Sequence, residues 1–105
     1  MEAKVLRHGV LFKFLDNANE ESVASIEAAF LELKNKIPQI VSIEWGTNVS
    51  PEGLSQDFTH CFFVTFHSEA DRDVYLPHPE HQAFGSLLGP YLDKVLVVDY
   101  WAYEA

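Results

Sequence analysis

The chain has 105 residues, of which 48% are hydrophobic and 22% are charged, a balance typical of one globular domain spanning residues 1–105. Seven basic residues stand against 16 acidic ones, and the formal net charge of −9 disfavours binding to nucleic acid or to an anionic membrane surface. No apolar run reaches the roughly 20 residues that a membrane helix needs. The single cysteine, Cys61, and the lack of a secretory signal pattern predict a cytoplasmic protein.

Two elements are predicted in the first third of the chain. Residues 5–15 are rich in β-branched and aromatic side chains, and their alternation predicts a strand with His8 on one face. Apolar residues then recur at intervals of three and four, which predicts an amphipathic helix that begins after the capping residue Asn19. Pro38 ends this helix near residue 36.

The rest of the chain predicts three strands and two short helices. Residues 40–49 and 58–66 read as strands two and three, separated by a loop that contains Pro and Gly. Ser68 is typical of a residue that caps a short helix, and a second short helix begins at Pro79. Residues 95–101 predict the last strand.

This element order predicts an α+β fold of the ferredoxin-like, split βαβ type, in which helices cover one face of a four-stranded antiparallel sheet. The third strand carries large apolar side chains on both of its faces, and the first and last strands do so in part. Two modest helices cover only one face of such a sheet. We therefore expect a homodimer in which a second copy covers the other sheet face.

Three stretches of the sequence resemble the stress-responsive dimeric α/β-barrel (Dabb) family. They are Thr-Phe-His-Ser at 65–68, Tyr-Leu-Pro-His-Pro-Glu-His-Gln-Ala-Phe at 75–84, and Asp-Lys-Val-Leu-Val-Val-Asp-Tyr at 93–100. The resemblance covers residues 4–101, and the stretch at 75–84 is its most specific part. It implies a ferredoxin-like chain whose sheets pair into a dimeric α/β barrel.

Members of this family differ in function, and the resemblance implies two hypotheses. Many members have no established activity and serve as small stress-response, structural or ligand-binding proteins. One plant member is a polyketide cyclase that performs an aldol condensation without a cofactor, using a histidine base and a tyrosine that polarises the substrate oxygen. Those roles correspond to His81 and Tyr75 here, and further pocket histidines correspond to His8 and His60. The alternative function is therefore a cofactor-independent lyase or cyclase.

The same resemblance suggests the remaining pocket residues, and a departure from it restricts the cyclase hypothesis to a smaller or different ligand. Phe30 stands where the cyclase has a tyrosine, and Phe84 and His78 complete the expected pocket. His78 and His81 are spaced like metal ligands, but Pro79 lies between them and no Cys or carboxylate completes a set, so we expect no metal. A cavity shared by Tyr75 and His81 would favour the enzyme, whereas a filled interior would favour a non-catalytic protein.

Overall fold

The computed structural model describes residues 3–105, which form one antiparallel sheet with helices packed on one of its faces. The strands are β1 (Leu6–Phe14), β2 (Ser42–Thr47), β3 (His60–Phe66) and β4 (Leu92–Trp101), and the helices are α1 (Glu20–Lys36), α2 (Glu69–Tyr75) and α3 (Pro79–Leu88). The strand order across the sheet is β2-β3-β1-β4. The predicted ferredoxin-like arrangement with four antiparallel strands is confirmed.

Helix α1 begins and ends as its sequence predicts. The Asn19 side chain accepts a hydrogen bond of 2.8 Å from the backbone N–H of Ser22, and such a cap contributes about 1 kcal/mol to helix stability. Acidic residues occupy the first turn and basic residues the last, which matches the helix dipole. The helix ends at Lys36, immediately before the residue that precedes Pro38.

Several strand bounds differ from the predicted ones. β3 begins at His60 rather than at residue 58, because the preceding loop passes through Gln56 and Asp57, whose φ angles of 57° and 66° lie in the left-handed region. β4 begins at Leu92 rather than at residue 95, because a short 3-10 turn after α3 leads directly into pairing with β1. The added residues carry no strong apolar alternation, so the sequence pattern missed them.

The inner face of the sheet is the one that the helices cover. The register places Val10 of β1 opposite Phe62 of β3, and the ring of Phe12 lies 5.6 Å from that of Phe62. These three side chains are at most 5% exposed. Phe30 of α1 stacks on Phe62 with ring centroids 4.2 Å apart and planes inclined by 10°. This aromatic contact fixes α1 against the centre of the sheet.

The outer face of the sheet carries apolar side chains that no helix of residues 3–105 covers. Gly9 lets the ring of Phe63 pack closely against β1, because a Cβ at Gly9 would lie 2.9 Å from Phe63 Cε1. On β4, Leu96, Val98 and Tyr100 are 44%, 53% and 43% exposed. Within the same residues, none of the helices has the length and apolar character needed to span a membrane.

Candidate functional site

A cavity of about 240 Å³ lies on the inner face, between the sheet and the helices α2 and α3. Only three of its lining residues, His8, Tyr75 and His81, present polar or titratable side-chain atoms. The complete lining consists of His8, Val10, Phe12, Phe30, Tyr75, Leu76, His81, Phe84, Gly85, Leu88, Val95 and Val97. An apolar space with a few converging polar groups is typical of a small-molecule site.

The break between α2 and α3 brings Tyr75 and His81 together. Tyr75 is the last residue of α2, and His81 lies in the first turn of α3. His78 accepts a hydrogen bond of 3.1 Å from the backbone N–H of Glu80 and so caps α3. Across this break, the rings of Tyr75 and His81 lie with their centroids 4.3 Å apart. Residues six apart in sequence therefore share one wall of the cavity.

The hydrogen bond of His81 defines which of its ring nitrogens is basic. Its Nδ1 lies 2.8 Å from the carbonyl oxygen of Leu76. A carbonyl oxygen only accepts hydrogen bonds, so Nδ1 carries the proton and donates it. In the neutral ring, the lone pair then resides on Nε2. The nitrogen of neutral His81 that can accept a proton is thus Nε2.

The hydroxyl group of Tyr75 is buried without a hydrogen-bond partner. Tyr75 is 0% exposed, and among residues 3–105 its Oη is the one buried side-chain polar atom that has no partner. Leaving such a group unpaired costs about 1–3 kcal/mol. Burial also raises the pKa of the Tyr75 phenol well above its usual value of 10.0, so the group remains a protonated donor. Tyr75 lines the cavity, and a ligand oxygen that reached this hydroxyl would satisfy it.

His8 enters the cavity from β1 and is fixed by a carboxylate of the neighbouring strand. Its Nδ1 lies 2.7 Å from Oδ1 of Asp99, and the other Asp99 oxygen accepts a hydrogen bond of 3.1 Å from Arg72 of α2. The His8 ring meets the Tyr75 ring edge to face at 5.7 Å. The carboxylate accepts the Nδ1 proton, so the neutral ring again has its lone pair on Nε2.

His60 occupies the same face of the sheet but does not line the cavity. Its Nε2 lies 2.7 Å from Oε2 of Glu27 in α1, and its Nδ1 lies 2.8 Å from Oγ1 of Thr59. Trp45 stacks beside it with an interplanar angle of 8°, and Phe14 meets it edge-on at 5.0 Å. Both ring nitrogens are therefore engaged within the fold.

Of the other predicted site residues, some line the cavity and one does not. Phe30 and Phe84 line the cavity, whereas His78 lies outside it and caps α3. Within residues 3–105, no group of three or more His, Cys, Asp and Glu side chains is arranged to hold a metal ion.

Sequence reasoning missed Asp99 and Arg72. Asp99 pairs with His8, and Arg72 holds the other oxygen of Asp99. A signal for Asp99 is present in the sequence, because it is the one charged residue in the stretch 95–101. The β1–β4 register places it directly opposite His8, so the charged residue faces the inner side. Arg72 carries no comparable signal. It is far from Asp99 in sequence, and only the packing of α2 brings the two side chains together.

Comparison with known proteins gives consistent matches in sequence and structure. The family described as Stress responsive A/B Barrel Domain matches residues 6–102. The stress-response A/B barrel domain-containing protein HS1 of Arabidopsis thaliana is 36% identical over 95 residues, which cover 90% of this chain and 87% of that protein. Olivetolic acid cyclase of Cannabis sativa is 30% identical over 95 residues, covering 90% and 94% of the two chains.

Solved structures extend these matches to the fold. Hydroxynitrile lyase from Passiflora edulis has a TM-score of 0.91 and 27% identity, covering 99% of this chain and 98% of that one. A protein of unknown function from Bacteroides fragilis, described as dimeric with a ferredoxin-like fold, has a TM-score of 0.73 and 30% identity, covering 93% and 96%. The chain therefore belongs to the family of stress-responsive A/B barrel domains.

Proposed function

We propose that this protein is a cofactor-independent lyase that makes or breaks a carbon–carbon bond at a small, uncharged carbonyl compound. The observation that carries the proposal is that Tyr75, whose buried hydroxyl has no partner within residues 3–105, lines the same cavity as His81. This chemistry needs a base that removes a proton and a hydrogen-bond donor that stabilises the developing negative charge on oxygen. Leaving that donor without a partner lowers the free energy of unfolding.

The cavity walls favour a neutral ligand. Among residues 3–105, neither Lys nor Arg lines the cavity, and Arg72 is engaged by Asp73 and Asp99 outside it. An anionic carboxylate or phosphate would lose its hydration there without gaining a cationic partner. The surrounding aromatic and aliphatic side chains instead stabilise an apolar body of modest size.

The proposed reaction uses only the side chains of the chain itself. In the direction of addition, Nε2 of His81 removes a proton from the nucleophilic carbon, and that carbon forms a bond to the carbonyl carbon of the ligand. The carbonyl oxygen becomes an alkoxide that accepts the hydrogen bond of the Tyr75 hydroxyl. The protonated His81 then returns the proton to the alkoxide, which balances the reaction without oxidation or reduction. Cleavage follows the same steps in reverse.

The names of two relatives, hydroxynitrile lyase and olivetolic acid cyclase, are compatible with this chemistry. The structure of the lyase matches 99% of this chain with a TM-score of 0.91. The cyclase is 30% identical to this chain over 90% of this chain's length. Fold alone does not determine a reaction, so the proposal rests on the cavity rather than on the names.

Turnover of a panel of aromatic hydroxynitriles and β-hydroxyketones, followed by release of the aldehyde in the ultraviolet, tests the proposal. We expect turnover above the background rate for at least one compound. His81→Ala should lower kcat/KM by about 10²–10⁴-fold, and Tyr75→Phe by about 10²–10³-fold. His67→Ala is the matched control, because His67 is exposed and does not line the cavity. Equal turnover by the His81 and His67 variants would contradict the assignment.

A second candidate function is non-catalytic binding of the same kind of ligand in a stress response. The nearly apolar lining of the cavity favours it, as does the similarity to the stress-response protein HS1. The panel separates the two functions, since a carrier would bind these compounds without converting them.

We further propose that the protein forms a homodimer through the outer face of the sheet. Leu96, Val98 and Tyr100 expose roughly half of their surface on that face, and several structural neighbours are described as dimeric. At about 25 cal/mol per Å² of apolar surface, covering such a face gives a large share of the free energy that a stable dimer needs.

Sedimentation of two charge variants tests the dimer. Val98→Asp should give monomers at micromolar concentration, because it places an unpaired charge in the proposed interface. Leu87→Asp should remain dimeric, because Leu87 is similarly exposed, at 45% against 53%, but lies on α3. A stable, folded monomer of the unmodified protein at this concentration would contradict the proposal.

We place this function in the cytoplasm. The single cysteine is free and half-buried, and the acidic composition suits a dispersed protein. Imaging of a fluorescent fusion expressed at its natural level tests the location, and accumulation in an oxidising compartment would contradict it.

A further inference from the structure

Phe84 separates the candidate site from a second space on the other side of α3. The second space, here called the outer groove, has a volume of about 130 Å³ and lies between α1 and α3. Its lining consists of Ala29, Leu33, Lys36, Glu80, Ala83, Phe84 and Leu87. Phe84 lines both spaces and is 6% exposed, so this residue is part of the wall between them.

Packing holds this wall in place. The ring of Phe84 meets the ring of Phe30 edge to face, with centroids 4.9 Å apart, and Phe30 in turn is stacked on the sheet. On the far side of the wall, the small side chains of Ala29 and Ala83 leave the outer groove open. The ion pair between Lys36 and Glu80, 3.6 Å apart, bridges α1 and α3 beside the groove.

We infer that Phe84 determines ligand specificity by limiting the length of the apolar tail that the cavity accepts. This inference rests on the proposed function, in which the polar end of the ligand contacts Tyr75 and His81. Phe84 lies one helical turn after His81, so a tail that extends from the polar end along α3 meets the ring of Phe84. The natural ligand class is therefore a neutral carbonyl compound with a short tail.

Burial and packing predict opposite effects on the two sides of this wall. Each methylene group buried before the wall should tighten binding by roughly fourfold. A tail long enough to reach Phe84 must displace a close-packed ring, which costs more than the added methylene group contributes. Removing the ring should join the cavity to the outer groove, where a longer tail can pack against Leu33, Ala83 and Leu87.

Calorimetric binding of benzyl alcohol and its para-methyl, para-propyl and para-pentyl derivatives tests this inference. These probes carry one neutral oxygen for Tyr75 and a tail of graded length. For the unmodified protein, we expect affinity to increase with the first carbons and to fall at least tenfold for the pentyl derivative. For Phe84→Ala, we expect the pentyl derivative to bind at least tenfold more tightly than it binds to the unmodified protein.

Two further variants make the outcome specific. Leu87→Ala enlarges the outer groove alone and should leave the order of affinities unchanged, because the wall is intact. Phe84→Leu keeps an apolar side chain in the core and replaces Phe84→Ala if that variant fails to fold. It should raise the limit on tail length by a smaller amount than Phe84→Ala. Equal binding of all tail lengths by the unmodified protein would overturn the inference while leaving the proposed function intact. Failure of every probe to bind would overturn both.

Discussion

His8 and His60 are similar in burial and in pairing, yet they belong to regions of different character. Both lie on the inner face of the sheet, at 5% and 7% exposure, and each has a ring nitrogen 2.7 Å from a carboxylate oxygen. His60 has its second nitrogen engaged by Thr59 and is enclosed by aromatic rings. His8 instead lines the cavity, beside the unpaired hydroxyl of Tyr75.

This difference shows that an imidazole–carboxylate pair does not by itself identify a functional site. Such pairs stabilise cores as well as active sites, because each satisfies a buried polar group. What distinguishes the His8 region is free volume together with a donor that the fold leaves unsatisfied. A candidate site is therefore better recognised by its missing hydrogen bond than by its histidines.

Replacing each histidine by alanine should give the largest difference between the two regions, measured as a loss in the free energy of unfolding. His60→Ala leaves the partly buried Glu27 carboxylate without its partner and opens a void among packed rings, so we expect a loss of about 3–4 kcal/mol in the free energy of unfolding. His8→Ala enlarges a cavity that already exists, and we expect a loss of about 1–2 kcal/mol. Urea unfolding at one fixed protein concentration measures both values.

The matched variants Glu27→Gln and Asp99→Asn sharpen this comparison. Each removes the negative charge of one pair but keeps the shape of its side chain. Glu27→Gln should destabilise the fold without altering ligand binding, because the His60 pair lies away from the cavity. A larger loss of stability from His8→Ala than from His60→Ala would show that the His8 region is the more tightly packed of the two.

The sequence was sufficient to predict the fold because its signals are local. Asn19 as the cap of α1 and the alternation in β1 and β3 each follow from spacing within one element. The strand bounds were less accurate next to loops, as at Gln56 and Asp57, because residue type alone does not determine where a chain takes the left-handed conformation.

The candidate site was only partly predictable, because it depends on contacts between distant residues. The resemblance at residues 75–84 pointed to Tyr75 and His81, but no spacing rule shows that a break between two helices brings their rings together. Whether His8 or His60 would line a cavity depends on how Phe12, Phe30 and Phe62 fill the sheet face. Packing of this kind is a property of the whole core.

Alkaline unfolding provides a smaller but cleaner test of the buried Tyr75 hydroxyl. Burial raises the pKa of Tyr75 above 10.0, whereas in the unfolded chain the phenol titrates near that value. Above that pH the unfolded state loses a proton that the folded state retains, so ionisation favours unfolding. The free energy of unfolding should therefore decrease by an additional amount of up to about 1.4 kcal/mol per pH unit.

The variant Tyr75→Phe isolates this contribution, because every other group that titrates at high pH remains in place. Its free energy of unfolding, measured in urea from pH 8 upward, should equal or exceed that of the unmodified protein at neutral pH, because the substitution removes a buried donor that has no partner. The difference between the two proteins should then widen as the pH increases beyond 10.0. Parallel curves would show that the hydroxyl titrates as it does in water. In that case Tyr75 would be solvated, and the cavity would differ from the His60 region only in its volume.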